Sequence, residues 1–156
     1  MVLKENLNQF SLRIKELMRE NGEMSRTDLS HVAQCDLHSI TLWLNGIYYP
    51  RLHTLILLSN YFHTTIDFLL GQTESDIFIR SDSPISFSSR LNELMHEQKF
   101  SRYALAKKLG TKTTTVSKWL NQVNMPETIN LIKLSKIFDV SIEYLVGLST
   151  NEYIGN

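Results

Sequence analysis

A single cysteine, Cys35, is the only thiol in this chain of 156 residues. One thiol cannot build an intramolecular disulfide framework, and such scarcity fits a reducing compartment. No apolar run approaches the roughly 20 residues needed to cross a bilayer, so no membrane partner is expected. The opening MVLKENLNQF lacks the apolar core of a signal peptide, which predicts no export and a cytoplasmic protein. Enzyme signatures are missing too: there is no nucleophile elbow, phosphate loop or zinc-protease motif. No catalytic residue and no cofactor is therefore expected, and an enzyme is not the reading. Net charge is also absent, with 16 basic residues against 16 acidic ones. Taken whole, that balance counts against a nucleic-acid binder.

The distribution of charge points the other way. Residues 1–72 carry six Lys/Arg against seven Asp/Glu, residues 73–84 one against three, and residues 85–156 nine against six. Phosphate contacts need local positive charge, not a basic whole, and the excess lies in the C-terminal half.

The chain repeats itself. Aligning Phe10 with Phe87 also matches Arg13 with Arg90, Leu17 with Leu94 and Met18 with Met95. After one extra residue near Gly22, Ser25-Arg26 matches Ser101-Arg102, and Trp43-Leu44-Asn45 matches Trp119-Leu120-Asn121. The series continues through Pro50, Leu55, Leu58, Phe62 and Gly71 to Gly147. A period of about 76 residues exceeds the roughly 20–50 of solenoids and indicates a duplicated domain. Each copy reads as five helices. In the first they cover Leu7–Asn21, a second helix opened by Ser25 with Asp28 as a capping box, Asp36–Leu44, a fourth after Pro50, and Thr65–Leu70. In the second they begin with Ser88–Gln98. The fourth of that copy starts near Pro126, where a first-turn proline loses no helical bond, and Ser141 caps the fifth.

The most informative stretch is Arg102–Trp119, RYALAKKLGTKTTTVSKW. Ser101 is a good N-cap, and Leu105, Ala106 and Leu109 give one apolar stripe. Gly110 follows where a helix end favours a left-handed backbone. Val116 and Trp119 lie three apart on one face of a second short helix and can reach back to that stripe. Thr113, Thr114, Ser117 and Lys118 are left on other faces, a polar surface suited to base edges and phosphates.

With its small Ala106, Gly110, Val116 and Trp119, this stretch resembles the helix-turn-helix of the Cro and phage-repressor type, the XRE family. The resemblance implies an all-α fold of two tandem five-helix, lambda-repressor-like DNA-binding domains. Their bounds would be 1–72 and 85–149, with a linker at 73–84 and a tail at 150–156. It further implies that Arg102 and Lys112 hold phosphates, that Thr113, Thr114, Ser117 and Lys118 face the major groove, and that Asn121 and Gln122 reach the backbone. XRE proteins more often place Gln than Arg at the position of Arg102. The function implied is a bacterial or phage transcriptional regulator, most simply a repressor, acting on double-stranded DNA as a homodimer.

The first copy departs from the pattern. Gln34 stands where the turn glycine belongs, Ala33 replaces the leucine before it, and the third helix holds no lysine or arginine. Its Leu37 and Leu42 would be exposed in groove-facing positions. Three readings compete. Arg26, His38, Ser39 and Thr41 could read a second half-site. Alternatively Leu37, Leu42, Ile47, Tyr48 and Tyr49 could serve dimerisation or a protein partner, aromatics being enriched at interfaces. Otherwise the copy is scaffold. A rival class for the whole chain is a protein-interaction module, such as an antitoxin-like or phage counter-defence factor. His31, Cys35 and His38 offer nitrogen and thiolate ligands of the kind zinc takes. The helix turn sends them apart, however, no clear fourth ligand appears beyond Asp36, and no metal is expected. Between the copies, Ile77-Phe78-Ile79 is too apolar for a free tether, and reads either as an extended cover over one core or as a strand pairing with another chain.

Overall fold

The computed structural model describes the backbone of residues 2–152 and side chains from residue 7 onward. Among these residues there are ten helices and no strand. They form two compact units, one running through Phe78 and the other starting at Ile79. Tyr153 and Ile154, expected either to dock or to fray, lie outside the described residues.

The first unit consists of α1 (Val2–Glu20), α2 (Arg26–Ala33), α3 (Leu37–Leu44), α4 (Leu52–Phe62) and α5 (Ile66–Leu69). Its core gathers Phe10 and Ile14 from α1, Leu29 from α2, Ile40 from α3, Leu55 and Leu58 from α4, and Ile66 and Leu69 from α5, all fully buried. The second unit consists of α6 (Phe87–Glu97), α7 (Arg102–Leu109), α8 (Thr113–Leu120), α9 (Thr128–Phe138) and α10 (Ile142–Leu145). Leu91, Leu105, Val116, Leu131, Leu134, Ile142 and Leu145 fill its core. Helices α2 to α5 have 8, 8, 11 and 4 residues, and α7 to α10 have the same four lengths.

Particular bonds recur at matching positions. The Ser59 hydroxyl donates to the Thr64 carbonyl at 2.5 Å, and the Ser135 hydroxyl to the Val140 carbonyl at 2.6 Å. Each ties the end of an 11-residue helix to the turn behind it. The Arg13 guanidinium lies 3.8 Å over the Phe68 ring, and that of Arg90 lies 3.8 Å over the Tyr144 ring. A cation held on an aromatic face is worth about 0.5–2 kcal/mol.

Some boundaries differ from expectation. Helix α1 starts at Val2 instead of Leu7. Pro126 is not a first-turn residue: like Pro50, which precedes its helix as expected, it is buried two positions ahead of the helix, and the extended N-caps Arg51 and Glu127 intervene without a side-chain cap bond. Ser25 and Asp28 form the capping box, each satisfying the other's backbone amide.

Residues 73–84 divide between the units by what they touch. Glu74 pairs with Arg13 at 3.1 Å, and the Phe78 ring meets His63 edge-on at 5.9 Å. Arg80 pairs with the buried carboxylate of Glu143. The Ser81 amide donates to the Leu148 carbonyl and that of Ile85 to the Gly147 carbonyl. Ile77 and Ile79 cover nothing and are each 67% exposed. Residues 149–152 return to α10, where the Ser141 amide donates to the Glu152 carbonyl at 2.6 Å and the Tyr144 hydroxyl reaches the Glu152 carboxylate at 3.3 Å.

Candidate nucleic-acid interface

In the second unit the Ser101 hydroxyl accepts the Ala104 amide at 3.0 Å and starts α7. The helix stops at Gly110, whose φ of 72° is left-handed, and the Thr111 amide closes on the Ala106 carbonyl. The chain then enters α8, which packs on α7. Leu105, Ala106 and Leu109 are buried on one side and Val116 and Trp119 on the other, leaving the remaining faces of α8 to solvent.

On those faces Lys112, Thr113, Thr114 and Lys118 are exposed, and Ser117 is half-buried. Lys112 is the N-cap of α8 and supplies no side-chain cap, and the first turn of that helix holds no acidic residue. Arg102 opens α7, is exposed, and donates from Nη1 to the Ser117 hydroxyl at 3.4 Å. Past the helix, Asn121 is the C-cap and Gln122 is left-handed at φ 57°, both exposed. The eight residues expected here from the sequence thus lie along α8, at both of its ends and at the start of α7. Exposed Val123 and Met125 extend this rim with apolar surface.

The matching region of the first unit is built differently. Asp36 holds the N-cap position of α3, accepting the Ser39 amide at 2.8 Å and the Ser39 hydroxyl at 3.1 Å. Those donors hold its carboxyl below the ordinary aspartate range, so an anion already sits at the start of the helix. Of the residues expected to read DNA here, Arg26 and His38 are exposed. Ser39 and Thr41 are half-buried, and the Thr41 hydroxyl donates back to the Leu37 carbonyl at 2.9 Å. Both hydroxyls therefore have internal partners. Leu37 is 50% exposed and Tyr48 61%, but Leu42, expected to be exposed, is half-buried. Tyr49 is half-buried as well, its ring edge-on to Phe10 at 6.0 Å. Its hydroxyl is buried with no hydrogen-bond partner among the described residues, and burial pushes its pKa up to about 12. The role of Asp36 as a cap was missed in the sequence, although the alignment that pairs Trp43 with Trp119 also pairs Asp36 with Lys112.

Among the described residues no group of three or more His, Cys, Asp or Glu stands where it could hold a metal ion. No described helix is long and apolar enough to cross a membrane.

A family model described as Helix-turn-helix matches residues 91–145, from within α6 to the end of α10. The second unit thus contains a helix-turn-helix region, with α7, Gly110 and α8 inside the match. No curated protein and no solved structure matches the chain.

Proposed function

We propose that the chain is a sequence-specific DNA-binding transcriptional regulator, in its simplest form a repressor, whose α8 enters the major groove. The observation that carries this reading is the exposed cationic and hydroxyl surface of Lys112, Thr113, Thr114 and Lys118 within a helix-turn-helix match. Lys118 can donate to guanine O6 or N7, and threonine methyls can meet thymine methyls. Lys112, at a helix start with no competing anion, suits a phosphate, as do Asn121 and Gln122 at the far end. Repression then follows from occupancy of a site that polymerase needs.

We take the first unit to be a diverged second copy of the same five-helix domain. Its α3 face, closed by the Asp36 carboxylate and carrying exposed Leu37, Ile47 and Tyr48, suits a protein better than a polyanion. The simplest occupant is the same unit of a second chain. A homodimer would present two copies of α8, and linking two weak readers raises affinity through effective concentration. Half-sites about 34 Å apart are the geometry this motif commonly uses.

Gel shift of the full chain on a pool of random-sequence duplexes tests the reading. A DNA binder loses affinity steeply with salt, with a log–log slope of roughly −4 to −6 for about five or six neutralised phosphates. Absence of any shifted band at low salt would end the regulator reading and favour the protein-interaction module.

A further inference from the structure

We infer that Arg102 reads a guanine edge instead of gripping a phosphate, with Ser117 positioning its guanidinium. The inference rests on α8 entering the groove and assigns the Arg102 position a base-reading role. Arg102 and Ala106 are four residues apart and so share a face of α7. Ala106 is 2% exposed, at the packed side of the helix. One turn ahead of that packed residue, the Arg102 side chain lies over α8, and its Nη1 comes to 3.4 Å from the Ser117 hydroxyl. Ser117 shares its face of α8 with Thr113, Thr114 and Asn121, at helical spacings of three and four.

A cation parked there stands over the middle of α8, whereas the terminal Lys112 is the residue placed for a phosphate. At 3.4 Å the bond to Ser117 is long. It biases the rotamer and leaves the other donors of the planar fork free. Guanine presents two acceptors, O6 and N7, at the spacing such a fork matches. No ion pair to a described carboxylate draws Arg102 away, unlike Arg13, Arg80 and Arg90. Lysine at this place would carry the charge without the fork.

Selection of bound sequences from a random duplex pool, run with the full-length wild type and with Arg102→Ala, Arg102→Lys and Ser117→Ala, tests this directly. Helical circular dichroism and Trp119 emission check that each variant is folded. The wild type should select guanine at one position per half-site. Arg102→Ala should flatten that position, costing about tenfold or more in discrimination while the other positions keep their preference. Arg102→Lys should retain affinity for non-specific DNA yet still lose the guanine preference. Ser117→Ala should weaken the same position by a few fold. If Arg102→Ala instead lowers affinity equally on every sequence, reduces the salt slope by about 0.9 and is rescued by lysine, Arg102 is a phosphate clamp and the inference falls alone. A wild type that shifts no duplex brings down the underlying regulator reading as well.

Discussion

Residues 36 and 112 hold the same place in their units, the N-cap of an eight-residue helix, and they carry opposite charge. In the first unit Asp36 satisfies the orphan amide of Ser39 internally and leaves a carboxylate where a phosphate would have to approach. In the second unit Lys112 makes no side-chain cap bond to the helix end and adds a positive charge beside it. A side-chain cap is worth about 1 kcal/mol to a helix. The first unit gains that increment in α3, while α8 forgoes it and keeps an anion-attracting terminus. On the proposed reading, the capped helix is the more stable of the two and the uncapped one is left open to a phosphate. Each unit holds one buried tryptophan, Trp43 and Trp119, so single-tryptophan variants report their unfolding separately.

The largest expected difference lies at the glycines that follow the last helices. A Cβ on Gly147 would stand 1.9 Å from the Ile85 carbonyl oxygen, and φ there is 78°. Backbone cannot yield that far without breaking the Ile85–Gly147 bond, so Gly147→Ala should destabilise the second unit by about 3 kcal/mol or more. At Gly71 the obstacle is the Gln9 side chain, 2.7 Å away at Cβ, and Gly71→Ala should cost the first unit about 1–2 kcal/mol. Urea titrations followed by Trp119 and Trp43 emission measure the two. Equal losses would mean that the segment before α6 does not hold α10 in place.

DNA affinity should separate the copies next. Lys118→Ala should weaken specific binding by about 1–3 kcal/mol and relax one base position. Leu42→Ala, at the matching place in α3, should leave DNA affinity unchanged. If the leucine variant keeps the parent's oligomeric state yet abolishes the gel shift, and the lysine variant does not, the reading unit has been assigned to the wrong half of the chain.

A smaller effect is expected at the turns between the paired helices. Gln34 adopts φ 52°, in the left-handed region that Gly110 occupies at φ 72°. A side chain there costs about 1 kcal/mol relative to glycine. Gln34→Gly should raise the midpoint of the Trp43 transition, and Gly110→Gln should lower that of Trp119 by a similar amount. A Cβ at Gly110 would meet only open space, so the substitution there measures backbone strain alone.

That turn shows why much of the fold was legible and some of the site was not. Helical periodicity and the Ser101 cap follow from local rules, and α7 runs between Ser101 and Gly110 as those rules give. Gln34 reads as a break in the pattern, yet its backbone caps the helix where glycine would go, its amide closing on the His31 carbonyl. Whether a hydroxyl is free is likewise invisible in sequence. Ser39 and Thr41 read as DNA-facing, but Ser39 binds Asp36 and Thr41 binds the Leu37 carbonyl. The contact between Arg102 and Ser117 joins residues fifteen apart, and only the crossing of two helices brings it about.

Tyr49 gives the finest comparison, because its counterpart in the second unit is Met125, which has no hydroxyl to bury. The Tyr49 hydroxyl is buried with no hydrogen-bond partner among the described residues, and its pKa is raised from 10.0 to about 12 by burial. An acid whose folded pKa is raised favours the fold while neutral. Its contribution is intact below pH 10.0 and declines toward about 12, as the unfolded chain ionises first. Tyr49→Phe removes an unsatisfied polar atom and should stabilise the first unit at neutral pH by about 1 kcal/mol. It should also make the alkaline loss of Trp43-monitored stability shallower, with the second unit unaffected. The exposed tyrosines are common to both proteins and drop out of the difference. A Tyr49→Phe variant less stable than the parent at neutral pH would show that the hydroxyl has a partner.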